Sequence, residues 1–138
     1  MENNYDVIIL GAGASGMTAA LAVYENGLSV GLFEKQNLVG GTAGVSGGII
    51  WAPMNSHMKD KGIKDERSMA IDYFMSLSNG EIDPIRLESF IDNCSSAIDF
   101  IEEKTDANFY VLDGYPDYYL DRPGAIPVSY THLRAHET

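Results

Sequence analysis

The sequence has 138 residues, of which 45% are apolar and 21% charged, and a formal charge of −11. That length accommodates one modest domain with a real core. The acidic balance excludes a nucleic-acid surface and an anionic membrane face, both of which need clustered Lys and Arg. A single cysteine, Cys94, leaves no partner for an internal disulfide and suits a reducing cytoplasm, the expected compartment.

No apolar run spans a bilayer: Val7-Ile8-Ile9-Leu10 falls far short of the ~20 residues required. The first residues, Met1 to Asp6, are acidic where a secretory signal is basic. Neither a transmembrane segment nor a leader is expected.

In chain order, Tyr5–Leu10 is a short β-branched apolar run stopped by Gly11, the pattern of a buried parallel strand. Ser15–Asn26 places Met17, Ala20, Leu21 and Tyr24 at helical spacing, and Gly27 stands where a left-handed cap ends a helix. Leu28–Glu34 predicts a second strand, which completes a β-α-β unit in about thirty residues. Val39–Gly48 holds five glycines with small residues between. The apolar residues Val45, Ile49, Ile50 and Trp51 argue against a solvated linker, so this backbone is expected to press close to something.

Asp65–Ser78 predicts a helix with Asp65 as N-cap and Ala70, Tyr73, Phe74 and Leu77 on one face. Asp83-Pro84 starts another, with Pro at the first helical position. Its stripe runs Leu87, Phe90, Ile91, Cys94, Ala97, Ile98 and Ile101, which makes Cys94 a buried structural thiol rather than a reactive one. Asn108–Leu112 reads as a short strand and Gly114–Gly124 as a loop rich in Tyr, Asp and Pro. His57, before Lys59-Asp60-Lys61, reads as a solvated loop residue, and no second His or Cys stands at metal-ligand spacing.

The sharpest motif is Gly11-Ala12-Gly13-Ala14-Ser15-Gly16, a GxGxxG with a strand before it and a helix after it. Gly11 permits the tight turn, Gly13 lets backbone approach a pyrophosphate, and Gly16 lets helix and strand pack closely. The helix N-terminus then favours phosphate charge. Glu34, 18 residues beyond Gly16, is placed to accept hydrogen bonds from an adenosine ribose and to repel the 2′-phosphate of NADP. NAD and FAD share this cradle; the second glycine cluster, directly after the ribose acid, favours FAD.

The stretch YDVIILGAGASGMTAALAVYENGLSVGLFEK followed by GGTAGVSGGIIWAP resembles the N-terminus of the fumarate reductase/succinate dehydrogenase flavoprotein family. Within it the resemblance is greatest to the 3-ketosteroid Δ1-dehydrogenase branch, carried by SGGIIWAPMN, GIKDE, LSNGEIDP and DYYLDRPG in the same order, over about Tyr5 to Gly124. The resemblance implies that Gly11, Gly13, Ser15 and Gly16, within the turn that also holds Ala12 and Ala14, bind the FAD pyrophosphate, and that Glu34 binds the ribose. It implies that Lys35, Gly41, Thr42 and Ala43 follow the phosphates toward the flavin, and that Ser46, Gly47 and Gly48 lie along the isoalloxazine ring, where small residues let backbone come close. Ala43 stands where the family usually carries serine, with Thr42 as a substitute hydroxyl. Trp51 is expected to pack near the flavin end.

Desaturation of a 3-ketosteroid removes a proton and a hydride, and this family resembles a tyrosine pair at the proton step. The second tyrosine of DYY maps onto Tyr119 as the one that supports the base; as a structural residue it is a packed loop aromatic. A free phenol has a pKa near ~10, so a tyrosine base depends on neighbours that stabilise its phenolate.

The closing residues Val128–Thr138 resemble an in-frame translation of the transposon-end adapter used in preparing sequencing libraries, with Pro127 a hybrid codon. The natural chain is therefore expected to continue past residue 126. The expected architecture is α/β: residues 1–52 are the first segment of a doubly wound, Rossmann-like FAD-binding domain, residues 53–126 the start of a helical substrate-capping region, and residues 127–138 a non-native tail. The expected function is FAD-dependent oxidoreduction of a carbon–carbon bond, with a 3-ketosteroid or another enone or ene acid as small-molecule substrate and an electron acceptor that the sequence leaves unnamed. The alternatives are a fumarate- or urocanate-type reductase on the same scaffold, and a non-enzymatic dinucleotide-binding module.

Overall fold

A computed structural model describes residues 4–63, 65–112, 114–126 and 132–135. The chain divides into two compact units, Met1–Gly48 and Ile49–Thr138. Ile49–Trp51 falls in the second unit, where it pairs with a later strand.

The first unit is the β-α-β unit expected from the glycine turn. Strands β1 (Val7–Leu10) and β2 (Val30–Phe33) pair in parallel, Val7 opposite Val30 and Leu10 opposite Phe33. Helix α1 (Ala14–Glu25) crosses between them. It ends where the sequence predicts: Gly27 takes φ +73° and donates its N–H to the Tyr24 carbonyl at 2.9 Å. At the entry to the strands, the Asp6 carboxylate accepts the Ser29 amide at 2.8 Å and its hydroxyl at 2.6 Å, which pulls its pKa below the usual carboxylate value. The Tyr5 and Phe33 rings meet edge-to-face across Gly31, where a methyl group would lie 2.7 Å from the Tyr5 ring. One face of β1 is open: Ile8 is 61% and Leu10 82% exposed.

The second unit combines helices with an antiparallel sheet. Its elements are β3 (Ile49–Trp51), α2 (Ser56–Asp60), α3 (Arg67–Leu77), α4 (Pro84–Lys104), β4 (Phe109–Val111) and β5 (His132–Ala135), with strand order β3-β5-β4. The start of α4 matches its sequence signal, with the Asp83 carboxylate accepting the Ile85 amide at 2.9 Å ahead of Pro84. Of the expected stripe, Leu87, Ile91, Cys94 and Ile98 are buried, whereas Phe90 remains exposed. One core cluster joins Ala52, Cys94 and Ile98 to Phe109, Val111 and Leu133; the other joins Ala70 to Leu87 and Ile91. Residues 132–135 of the tail thus form the middle strand; Val128–Thr131 and His136–Thr138 lie outside the described residues.

Two local readings are corrected. Asp65 does not cap α3, which begins from Glu66; its carboxylate instead accepts the Met54 amide at 2.8 Å, across a turn in which Met54 takes φ +54°. Burial raises the Asp65 pKa. His57 is not in a solvated loop: it lies in α2, half-buried, with Nε2 2.9 Å from Glu102 Oε2. The Cys94 thiol is buried as expected, 3.4 Å from the Pro53 carbonyl, and burial pushes its pKa up. Among the described residues no helix is long and apolar enough to cross a membrane.

Candidate functional site

The glycine turn is tied into the first unit on three sides. Gly11, at φ +101°, donates its N–H to the Phe33 carbonyl at 2.7 Å, which fastens the turn to the end of β2. Ala12, buried beneath it, donates to Glu34 Oε2 at 2.8 Å, and its carbonyl accepts the Gly40 amide at 2.7 Å. Gly13 faces Gly40 in a single parallel bridge and caps α1 in extended conformation. Gly16 is the tightest position: a methyl group there would run into the Gly11 carbonyl oxygen and lie 3.5 Å from the Ile9 side chain. Only glycine lets α1 pack this close to the turn.

The start of α1 has neither a side-chain cap nor an acidic residue in its first turn. First-turn amides have no acceptor within their own helix. With a positive dipole end and no carboxylate within the first turn of α1 itself, they present donors to an anion from Ala14, Ser15 and Gly16. A dinucleotide pyrophosphate fits this cradle.

Glu34 takes part in the turn as well as facing outward. Its Oε2 accepts from Ala12 and its Oε1 from the Gln36 amide at 2.9 Å; these two bonds, Ala12 first, hold its pKa below the ordinary glutamate value. Each carboxylate oxygen keeps a further lone pair for a hydroxyl donor. The short reach from the end of β2 to the turn gives Glu34 this structural task beside the ribose contact expected from its place in the sequence.

The second glycine cluster proves to be two things. Gly40 (φ +111°) and Gly41 (φ +54°) pack on the first turn, where a methyl group on Gly41 would lie 3.2 Å from Gly13 Cα. Ala43–Val45 then forms a 3₁₀ turn after Thr42. The Ser46 hydroxyl donates to the Ala43 carbonyl at 2.8 Å and accepts the Gly48 amide at 3.1 Å. Among the described residues, nothing stands within 4 Å of a methyl group built on Gly47 or Gly48. Crowding within this unit explains glycine at 40 and 41; it does not explain glycine at 47. Leu10, Gly11, Phe33, Glu34, Lys35 and Gly41 wall an open cleft of about 660 Å³, a ligand-sized volume.

Tyr119 lies in the second unit, 52% exposed, in a loop beside helix α3. With Tyr118, Trp51, Tyr73, Phe74 and Leu77 it lines an apolar cleft of about 210 Å³. Trp51 is the hub of its aromatic wall, its ring 6.1 Å from that of Tyr73, 5.0 Å from Phe74 and 6.4 Å from Phe90. The indole N–H donates to Asp117 Oδ1 at 3.3 Å, and the Tyr73 hydroxyl accepts the Tyr119 amide at 3.3 Å. Burial raises the Tyr73 pKa. The spacing of the sequence puts Tyr73 on one helix face with Ala70, Phe74 and Leu77, but carries no signal that it meets Tyr119.

The model of one protein family, described as FAD binding domain, matches residues 6–137. The chain is 36% identical over 125 residues to 4-oxocyclohexanecarboxylate 2-dehydrogenase of Sinomonas cyclohexanicum, covering 91% of this chain and 22% of that protein. It is 33% identical over 123 residues to 3-oxosteroid 1-dehydrogenase of Mycobacterium tuberculosis, covering 89% of this chain and 22% of the relative. The crystal structure of 3-ketosteroid Δ1-dehydrogenase from Sterolibacterium denitrificans, in complex with 1,4-androstadiene-3,17-dione, superposes with a TM-score of 0.88 at 35% identity, over 98% of this chain and 24% of that one. The chain therefore spans about a fifth of the length of these curated relatives. Helix-strand architecture, glycine cradle and family match agree: the chain belongs to the FAD-binding domain family, and FAD is its cofactor.

Proposed function

We propose that the whole protein is an FAD-dependent dehydrogenase that desaturates a carbon–carbon bond beside a ring ketone, with a 3-ketosteroid as the preferred substrate. The observation that carries this is the junction of a dinucleotide cradle with relatives at 33% and 36% identity whose names both describe dehydrogenation of a cyclic ketone. The β-α-β unit is read as the opening of a doubly wound, Rossmann-like sheet. Residues from 53 onward are read as the start of a substrate-capping region.

In this reading Gly11 to Gly16 offer backbone amides to the pyrophosphate, and Glu34 adds ribose hydroxyls to the two amides it already accepts. Lys35, Gly41, Thr42 and Ala43 continue along the phosphates. Ser46, Gly47 and Gly48 lie along the flavin ring, which is where the space above Gly47 supports them. When bound, FAD supplies a two-electron acceptor for hydride. Tyr119 supports the group that removes the substrate proton, and the apolar cleft beside it excludes water from that proton. The compartment is a reducing cytoplasm, where Cys94 stays a thiol.

The test is the complete gene, expressed and purified with its flavin. Steady-state turnover of a 3-ketosteroid and of 4-oxocyclohexanecarboxylate with an artificial electron acceptor is expected, the steroid being preferred. Reduction of fumarate or urocanate with no ketone turnover identifies a reductase instead. Tight NAD binding with no flavin uptake identifies a binding module and overturns both enzyme readings. Residues 127–138 are proposed to be translated adapter. Resequencing with a different library chemistry should replace Val128–Thr138, and recovery of the same residues followed by a stop codon would refute this.

A further inference from the structure

We propose that Asp117 and Tyr73 are positioning residues: together they hold the loop that carries Tyr119 as one body docked on α3. The proposal rests on the reading of Tyr119 as the tyrosine that supports the proton-abstracting base.

The need is physical. Tyr119 is half-exposed on a loop, and a hydrogen bond to another phenol tolerates errors of only a few tenths of an ångström. Something must fix its backbone. At the neck of the loop Asp117 and Ile126 pair twice: the Asp117 amide donates to the Ile126 carbonyl at 3.3 Å, and Asp117 Oδ2 accepts the Ile126 amide at 2.8 Å. The other carboxylate oxygen accepts the Trp51 indole N–H. Asp117 is 3% exposed. A carboxylate so buried is costly unless its oxygens are matched by donors, and these two N–H groups are matched to it. Asparagine has the same shape, but its NH₂ would face one of them.

The loop is also attached along α3. Tyr73, stacked on Trp51, accepts the Tyr119 amide, and the Arg122 guanidinium reaches the Ser76 carbonyl at 3.5 Å. Gly124, at φ +76°, lies so close to the Met69 carbonyl that a methyl group there would overlap it. Several of these bonds are long, so the loop is held by their number and by the stacked Trp51–Tyr73 pair that links them. Tyr119 sits between the two firm points, Asp117 at the neck and Tyr73 on the helix.

The experiment uses the flavin-loaded full-length enzyme and four variants: Tyr119→Phe, Asp117→Asn, Tyr73→Phe and the double variant Asp117→Asn/Tyr119→Phe. Flavin content and the pH profile of kcat are measured for each. A tyrosine that supports a phenolate base lowers its pKa, so loss of that support moves the rising limb of kcat to higher pH. Tyr119→Phe is expected to lower kcat about 10- to 100-fold and to move the limb upward. Asp117→Asn and Tyr73→Phe are expected to move the limb the same way, with KM changed less than about threefold, and the double variant is expected to be no worse than Tyr119→Phe alone. Merely structural residues would lower the yield of flavinated enzyme and leave the limb in place. If Tyr119→Phe moves the limb and the other two do not, the positioning proposal is overturned and the role of Tyr119 stands. If Tyr119→Phe leaves it in place, the reading of Tyr119 falls and the proposal with it. Should Asp117→Asn fail to accumulate, Tyr73→Phe, which removes one oxygen, decides alone.

Discussion

Gly16 and Gly47 separate two reasons for a glycine, and each reason makes its own prediction. At Gly16 the obstacle is the Gly11 carbonyl within the same unit. Gly16→Ala must push helix and turn apart and is expected to cost about 1–3 kcal/mol, seen as a lower melting temperature with or without flavin. At Gly47 nothing among the described residues stands within 4 Å, so Gly47→Ala is expected to leave the apoprotein's melting temperature unchanged. If the flavin ring passes over Gly47, the same change weakens FAD binding; unchanged affinity removes Gly47 from the site. Glu34 makes a pH prediction. Its folded pKa lies below the ordinary value of 4.5, first because of the Ala12 amide and then that of Gln36. Its stabilising contribution is thus fully present above pH 4.5 and is lost as pH falls through the folded value. Acid titration should open the glycine turn and release flavin in that range, and Glu34→Gln should remove the dependence.

Among the elements, α4 shows how far periodicity carries. The stripe predicted from spacing is buried at Leu87, Ile91, Cys94 and Ile98, which pack α4 on α3 and on the sheet, but Phe90 turns outward toward the aromatic wall of Trp51 and Phe74. Ile91 is 1% exposed and Ile85, in the same helix, 79%. Ile91→Ala is expected to destabilise by about 2–5 kcal/mol, and Ile85→Ala by less than about 0.5 kcal/mol, as read from denaturant midpoints. The fork from Arg67 to Glu88 (2.8 Å) and Asp92 (2.6 Å) joins α3 to α4 at the surface. Its position in water makes it a small contributor beside Ile91.

At the scale of the molecule, the chain of residues 1–126 is expected not to act as an enzyme. One side of β1 is open at Ile8 and Leu10, an arrangement a parallel strand does not keep in a finished domain, and the chain spans 22% of the length of its relatives. Expressed alone, it should aggregate or hold FAD weakly; a soluble, yellow, monomeric product with stoichiometric flavin and steroid turnover would refute this. What the sequence by itself determined was local. The turn at Gly11–Gly16, the cap at Gly27, the start of α4 at Asp83-Pro84 and the parallel β-α-β unit each depend on residues a few positions apart, where backbone sterics and periodicity decide. The cofactor class was legible for the same reason. The tertiary structure alone decided the rest: Gly40 and Gly41 seated on Gly13, Asp65 turned from its helix to Met54, His57 joined to Glu102, and Asp117 joined to Trp51. Those partners are separated by 11 to 66 positions in the chain. Such contacts are chosen by which surfaces pack and which buried charges find donors, and no local propensity encodes that choice.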